Sequence, residues 1–232
     1  MAEEKEKLNT KVSVEDMQEA GLHLGHKTSK LNPKTSEFVL GIKNTVHVFD
    51  LEQTAKCLGG AIEFAKVLGK EKKVLMFVST KPPLKRLVKE TAIELKMPFV
   101  VERWLGGTFT NFEVISKRAK YFKKLEEEKE NGEFEKFTKK ERVKKEKDLQ
   151  SMGLKFEGLK NLDKMPDAIF IADIVKDKLA LKEAFENKVK TITIVDSNAD
   201  PSLVDFPIPA NDDAISSVNY ILNKIKAAYQ NL

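Results

Sequence analysis

Val74-Leu75-Met76-Phe77-Val78 is apolar at every position and has the length of a strand. A strand with no polar face is covered on both sides. Its flanks supply the covers. Upstream, Leu51, Ala55, Leu58, Ile62, Ala65 and Leu68 recur at helical spacing, although Gly59-Gly60 weakens that helix. Downstream, Leu84, Leu87, Val88, Thr91, Ala92 and Leu95 form a second helical stripe. The alternation recurs along the chain. Val46 to Phe49, Phe99 to Val101, Ala168 to Ala172 and Thr191 to Val195 read as strands, with a short extended piece at 206–209. Lys176 to Asn187 reads as a helix with Leu181, Ala184 and Phe185 facing in. The last helix follows Asn211, Asp212 and Asp213, which suit its positive N-terminus, and turns Ile215, Val218, Leu222 and Ile225 inward. This order predicts a three-layer α/β domain around a parallel sheet, built from residues 46–112 and 153–232.

Residues 113–152 break the alternation and read as a charged helical hairpin. Ile115, Ala119, Phe122 and Leu125 make a narrow stripe on its first arm. Asn131-Gly132 is a turn signal, and Thr138 with Glu141 has the spacing of a capping box. Val143, Leu149 and Met152 stripe the second arm. Narrow seams between charged flanks predict a two-helix coiled coil. Such a hairpin buries little core, so replacing Lys117 to Asn161 with a linker is expected to leave the domain folded.

The chain of 232 residues carries a net charge of +5. From Lys117 to Lys147 there are 13 Lys and Arg against 8 Asp and Glu, while the remainder balances at 28 against 28. The hairpin is therefore the net cationic part, which favours an acidic partner. Its charges are ordered: Lys117, Arg118, Lys120, Lys123 and Lys124 precede any further acid, and Glu126 to Glu130 follow toward the tip. The single Cys57 excludes an internal disulfide and reads as a small buried hydrophobe. Ala2 to Lys7 is charged with no apolar stretch behind it, so no signal peptide is expected. The longest apolar runs are five residues, whereas a membrane helix needs about 20.

Residues 1–45 precede the alternation. Ser13-Val-Glu-Asp16 opens a short helix over 14–20 and Gly21 ends it. Between Leu22 and Asn44 stand Lys27, Lys30, Lys34 and Lys43 against one acid, Glu37, with apolar residues between them. A fixed cationic arm of this kind suits a phosphate backbone. His23 and His26 suit hydrogen bonding within the arm or to phosphate and ribose, since two histidines alone do not make a zinc site.

Three separated blocks carry a family resemblance. The first runs from Met17 through His23, His26, Asn32-Pro33-Lys34 and Gly41 to Glu52. The second is Arg103-Trp104-Leu105-Gly106-Gly107-Thr108-Phe109-Thr110-Asn111-Phe112. The third comprises Pro166 to Asp173, Ile194 to Pro201 and Phe206 to Ile215. From about Val14 onward the chain resembles small-subunit ribosomal protein 2 of the bacterial type. Leu24 departs from that pattern, standing where an aromatic is common between the two histidines.

The resemblance implies a flavodoxin-like (Rossmann-like) domain with an inserted coiled-coil hairpin and an N-terminal basic arm. It implies a structural role in the small ribosomal subunit, between head and body on the solvent side, with late assembly. The implied partners are 16S-class ribosomal RNA and other small-subunit proteins, including the large mRNA-binding small-subunit protein 1. No small-molecule substrate, cofactor, metal or membrane is implied. The location is a ribosome of the cytoplasm or of an organelle.

The surface expected to meet RNA comprises His23, His26, Lys27, Lys30, Lys34 and Lys43 in the arm. At the hairpin foot it includes Arg103, Trp104, Gly106 and Gly107, with Trp104 also read as a core anchor. Lys117, Arg118, Lys120, Lys123 and Lys124 extend it along the first hairpin arm, next to Arg103 and continuous with the arm.

One alternative comes from fold chemistry. Open α/β sheets bind ligands at the carboxyl ends of their strands, where Ser79-Thr80-Lys81, Asp173 and Asp196 to Asp200 fall. Carboxylates there suit a magnesium-dependent phosphoryl transfer. No phosphate-binding loop supports it: at Gly69-Lys70 the next residue is Glu71, not Ser or Thr, and Phe64 stands at the first glycine position.

Overall fold

The computed structural model describes residues 12–230. Residues 1–11, with the charged stretch Ala2 to Lys7, lie outside them. Helix α1 (Val14–Glu19) starts where expected, because the Ser13 side chain accepts from the Asp16 amide. The basic segment then folds as strands β1 (Leu24–Lys27) and β2 (Val39–Lys43), and β3 (Val46–Phe49) lies between them in an antiparallel sheet. Asn44 and Thr45, at φ of +49 and +66, make the tight β2–β3 turn. The expected strand at Val46 is thus real but belongs to the arm, not to the parallel sheet. Pairing directions follow from connection length: a two-residue turn forces antiparallel neighbours.

The α/β alternation begins with α2 (Leu51–Lys70), capped by Asp50, which accepts from the Glu52 amide. It continues through β4 (Leu75–Val78), α3 (Lys85–Glu94) and β5 (Phe99–Val100). Two long helices intervene, α4 (Phe112–Glu130) and α5 (Lys139–Phe156). The remaining elements are β6 (Ala168–Ile171), α6 (Lys178–Glu186), β7 (Lys190–Val195), β8 (Phe206–Pro209) and α7 (Ile215–Gln230). Five strands form one parallel sheet in the order β5-β4-β6-β7-β8. Counted from β4 this is 2-1-3-4-5, the order of doubly wound, flavodoxin-like sheets. β8 carries Pro207 and Pro209, which lack amide protons, and it sits at an edge, where only one side needs pairing.

Strand pleating sorts the core into two halves. Leu75, Phe77, Phe170 and Ile192 face one cluster with α2, α3 and α7. Met76, Val78, Ile169 and Ile171 face another, with α6 and the foot of the long helices. Three inward assignments change. Phe185 is 77% exposed and Glu183 is buried in its stead. The inner face of α6 is set by Ala180, Leu181 and Ala184, and the next residue is rotated about 100° off it. Ile215 is 51% exposed: in the first turn of α7 it is Ser217 that turns inward, its hydroxyl donating to the Asn211 carbonyl, while the exposed Ser216 hydroxyl donates to the Ala20 carbonyl. Val143 is exposed as well.

The foot of the helical pair is core. Phe122, Phe156 and Leu159 are buried in the second cluster. A Cβ on Gly158 would fall 2.0 Å from the Phe99 carbonyl oxygen, so the chain leaves α5 pressed onto strand β5. Replacing Lys117 to Asn161 would remove these groups, contrary to the expectation that the segment buries little. Only the distal part is separable.

Phe156→Ala is therefore expected to cost about 3–5 kcal/mol, whereas replacing residues 126–147 with a short linker should leave a cooperative transition. Urea denaturation distinguishes the two. A loss under 1 kcal/mol for Phe156→Ala would show that the foot is not core.

Candidate nucleic-acid interface

The residues that follow the parallel strands meet at one edge. Lys81, just past β4, points its ammonium among carboxylates from two other strand ends. Nζ lies 3.2 Å from Asp173 Oδ2, 2.8 Å from Asp212 Oδ1 and 2.7 Å from Asp213 Oδ1. Burial pulls the Lys81 pKa down, but its hydrogen bonds to Asp212 and Asp213 outweigh this and hold it above the ordinary lysine value. Asp212 is pushed up to about 7, first by burial and then by the charges of Asp173 and Asp196. Burial also raises Asp177, although the Thr80 amide and hydroxyl both donate to it. His26 Nδ1 lies 3.1 Å from Asp196 Oδ1, and this carboxylate raises the His26 pKa.

His26, Asp196 and Asp212 offer ligand atoms within 4.8 Å of one another, a spacing open to a cation. Lys81 already brings positive charge to Asp212 there. The arm also roofs the edge. Gly25 of β1 passes so close that an added Cβ would stand 3.1 Å from Ser197 Oγ and 3.3 Å from Asp196 Oδ1. The crevice that an α/β enzyme would offer a phosphorylated substrate is filled by the chain's own N-terminal segment.

That roof is pinned along its length. The His26 amide donates to Ser197 Oγ (2.9 Å) and the Asn32 amide to the Ser197 carbonyl (2.7 Å). The buried Thr35 hydroxyl donates to the Ala199 carbonyl. The Asn211 amide donates to the Leu22 carbonyl at 3.1 Å. Leu22 and Phe49 are buried beneath. His23 is half-buried, and its pKa is lowered by burial and by the nearby Lys43 charge.

The structure divides the expected contact residues. Lys27, Lys30, Lys43, Arg103 and Arg118 are exposed, and among the described residues none has a carboxylate within ion-pair distance. Lys34 is bonded to Asp200 (2.7 Å) and Ser202 (2.9 Å), which makes it part of the arm's fastening. Lys117 pairs with Glu113, Lys120 with Asp163 and Lys124 with Glu128, and Lys123 donates to Asn161. Such exposed pairs are worth only about 0–1 kcal/mol, so these lysines are a reserve of charge rather than a committed one. Gly106 is exposed.

Of the two readings of Trp104, its burial supports the core anchor. It is 6% exposed, packs edge-on to Phe109 at 5.0 Å, and its indole Nε1 lies 3.3 Å from Glu183 Oε1. Glu183 was invisible to pattern reading, because a lone Glu in an amphipathic helix reads as solvated. Buried, it accepts the amides of Gly107 (2.8 Å) and Phe109 (2.9 Å) as well, and so sets the loop that presents Arg103 and Gly106.

The chain is similar to known proteins over most of its length. The family described as Ribosomal protein S2 matches residues 17–231. The small ribosomal subunit protein uS2 of Dictyoglomus thermophilum is 41% identical over 217 residues, covering 94% of this chain and 88% of that protein. The protein of the same name from Saccharophagus degradans is 39% identical over 207 residues, covering 89% and 84%.

Glu183→Ala leaves buried amides unpaired and is expected to cost about 2–5 kcal/mol in urea denaturation; a cost below 1 kcal/mol would remove Glu183 as the loop's organiser. The carboxylate edge sets a pH dependence. Folded Asp212 keeps its proton to about 7, against 3.8 ordinarily, and His26 is also raised. The folded chain then binds more protons than the unfolded one, so this stability is full below that window and lost as pH rises through it. The urea midpoint should fall as pH rises toward about 7, less steeply in Asp212→Asn. An equal slope in that variant would locate the effect elsewhere.

Proposed function

The chain belongs to the ribosomal protein S2 family, and from that premise we propose that it is a structural constituent of the small ribosomal subunit that binds 16S-class ribosomal RNA and so supports translation. One observation carries the reading: a basic segment is held rigid by hydrogen bonds from its backbone and from the buried Thr35 hydroxyl, while Lys27, Lys30 and Lys43 are exposed and, among the described residues, have no carboxylate at ion-pair distance. Rigid cations at fixed spacing suit phosphates of folded RNA, which is recognised by shape and by phosphate and ribose contacts more than by sequence. Preorganisation lowers the entropy lost on binding. Arg103 and Arg118 at the foot of the helical pair, with the exposed Gly106 backbone, form the second contact. The paired lysines 117, 120, 123 and 124 join it by exchanging weak carboxylate partners for phosphate.

We read α4 and α5 as a coiled-coil hairpin whose distal half, with Glu126 to Glu130, points away from RNA. Surfaces free of RNA are left for other small-subunit proteins, among them the large mRNA-binding small-subunit protein 1. The location is the ribosome, in the cytoplasm or in an organelle.

The test is sedimentation of a tagged copy expressed in its own cells, through sucrose gradients with a rising salt wash. Co-migration with small subunits and release at high salt is the expected result. In the triple variant Lys27→Ala, Lys30→Ala and Lys43→Ala, the slope of log affinity against log salt should fall by about 2–3, and the melting temperature should not change. A tag that stays at the top of the gradient would overturn the ribosomal reading. An unchanged salt slope would remove the arm as a contact.

A further inference from the structure

At the foot of the helical pair, between the Arg103–Asn111 loop and the first turns of α4, lies an open cleft of about 510 Å³. Leu105, Ile115 and Met152 form an apolar floor backed by the second core cluster. The Tyr121 ring stands at the wall and is 55% exposed. Arg118 and Lys155 line it from opposite helices, and no carboxylate does. Neither cation has an acidic partner among the described residues. Four other clefts on the surface differ in this respect, being lined by Glu157, Glu37, Asp50 or Glu90. Asn111, at the rim, makes no capping bond to its own helix, and its exposed side-chain amide has no hydrogen-bond partner among the described residues.

An exposed aromatic face, an apolar floor, two unopposed cations and a free amide are the chemistry that takes up a single unstacked nucleotide. We propose that this cleft binds one extruded nucleotide of the RNA: the base stacks on Tyr121 with its edge toward Asn111, and the phosphate sits between Arg118 and Lys155. This rests on the RNA-binding reading above and adds a base-binding site to its phosphate contacts. The two cations come from helices that pack together through Phe122 and Gly153, where a Cβ on Gly153 would be 3.7 Å from the ring. The span between the two backbones that carry them is therefore set before RNA arrives.

Small subunits carrying the tagged full-length chain are irradiated at 254 nm, which joins a base to a tyrosine stacked on it, and nucleotide-bearing peptides are mapped by mass spectrometry. In parallel, salt-release midpoints are measured for Tyr121→Ala, Tyr121→Phe and the pair Arg118→Ala with Lys155→Ala. A nucleotide adduct on Tyr121 is expected. Tyr121→Ala should lower affinity about 5- to 160-fold, and Tyr121→Phe, which keeps the stacking face, should bind as the parent does. If the parent co-sediments but carries no adduct at Tyr121, and Tyr121→Ala is released at the parent's salt concentration, the cleft is not a nucleotide site although the RNA reading stands. If the parent fails to co-sediment, the RNA reading itself has failed. Binding of free adenosine monophosphate to the ribosome-free chain, lost in Tyr121→Ala and without any RNA adduct, would overturn the proposal in favour of a small-molecule site.

Discussion

The turn from Asp196 to Ala199 carries the arrangement. Asp196 is 1% exposed, and its carboxylate is held by the amides of Ser197 and Asp212 and by the His26 imidazole. Ser197 then accepts the His26 and Asn32 amides, and Ala199 accepts the Thr35 hydroxyl. A buried carboxylate with this many donors resists rearrangement, because removing any one donor leaves charge unmatched in a poorly polarisable interior. The arm therefore has one position relative to the sheet. Without that fastening, Lys27, Lys30 and Lys43 would be side chains on a loose tail.

The same fastening explains why a fold that so often hosts chemistry presents none of its usual opening. A doubly wound sheet offers ligands the crevice beyond its strand ends. Here the strand-end side chains are occupied with one another. Lys81 is ringed by Asp173, Asp212 and Asp213, Thr80 is tied to Asp177, and β1 lies on top. Of the residues that would bind a phosphorylated substrate, Asp196, Ser197 and Asp200 hold the protein's own N-terminal segment and the others pair among themselves. The cationic groups left over face outward, on the arm and at the foot of the helical pair.

The strands and helices of the α/β domain were legible in the sequence, whereas strands β1 and β2 of the basic arm were not. Val74 to Val78 is apolar throughout because both sheet faces are covered, and the capping signals at Ser13 and Thr138 act through neighbours a few residues away. Misreadings occurred where a position depended on the rotation of a helix or on a distant partner. Phe185 fits the helical spacing yet lies on the solvent side, while Glu183 lies inside, because the loop amides at Gly107 and Phe109 need an acceptor. No periodicity records a need that arises 76 residues away.

For the site, composition and local order determined that the arm and the first hairpin helix are basic, and the motif blocks determined the family. Which of those cations are free was decided only by the tertiary structure. Lys34 meets Asp200 and Lys120 meets Asp163 across long stretches of chain, whereas among the described residues Lys27, Lys30, Lys43 and Arg118 have no carboxylate at ion-pair distance. Charge is a property of a residue and can be counted along a sequence. Pairing depends on distance in space, because the attraction between two charges decays within a few ångströms of water and salt, and that distance exists only once the chain has folded.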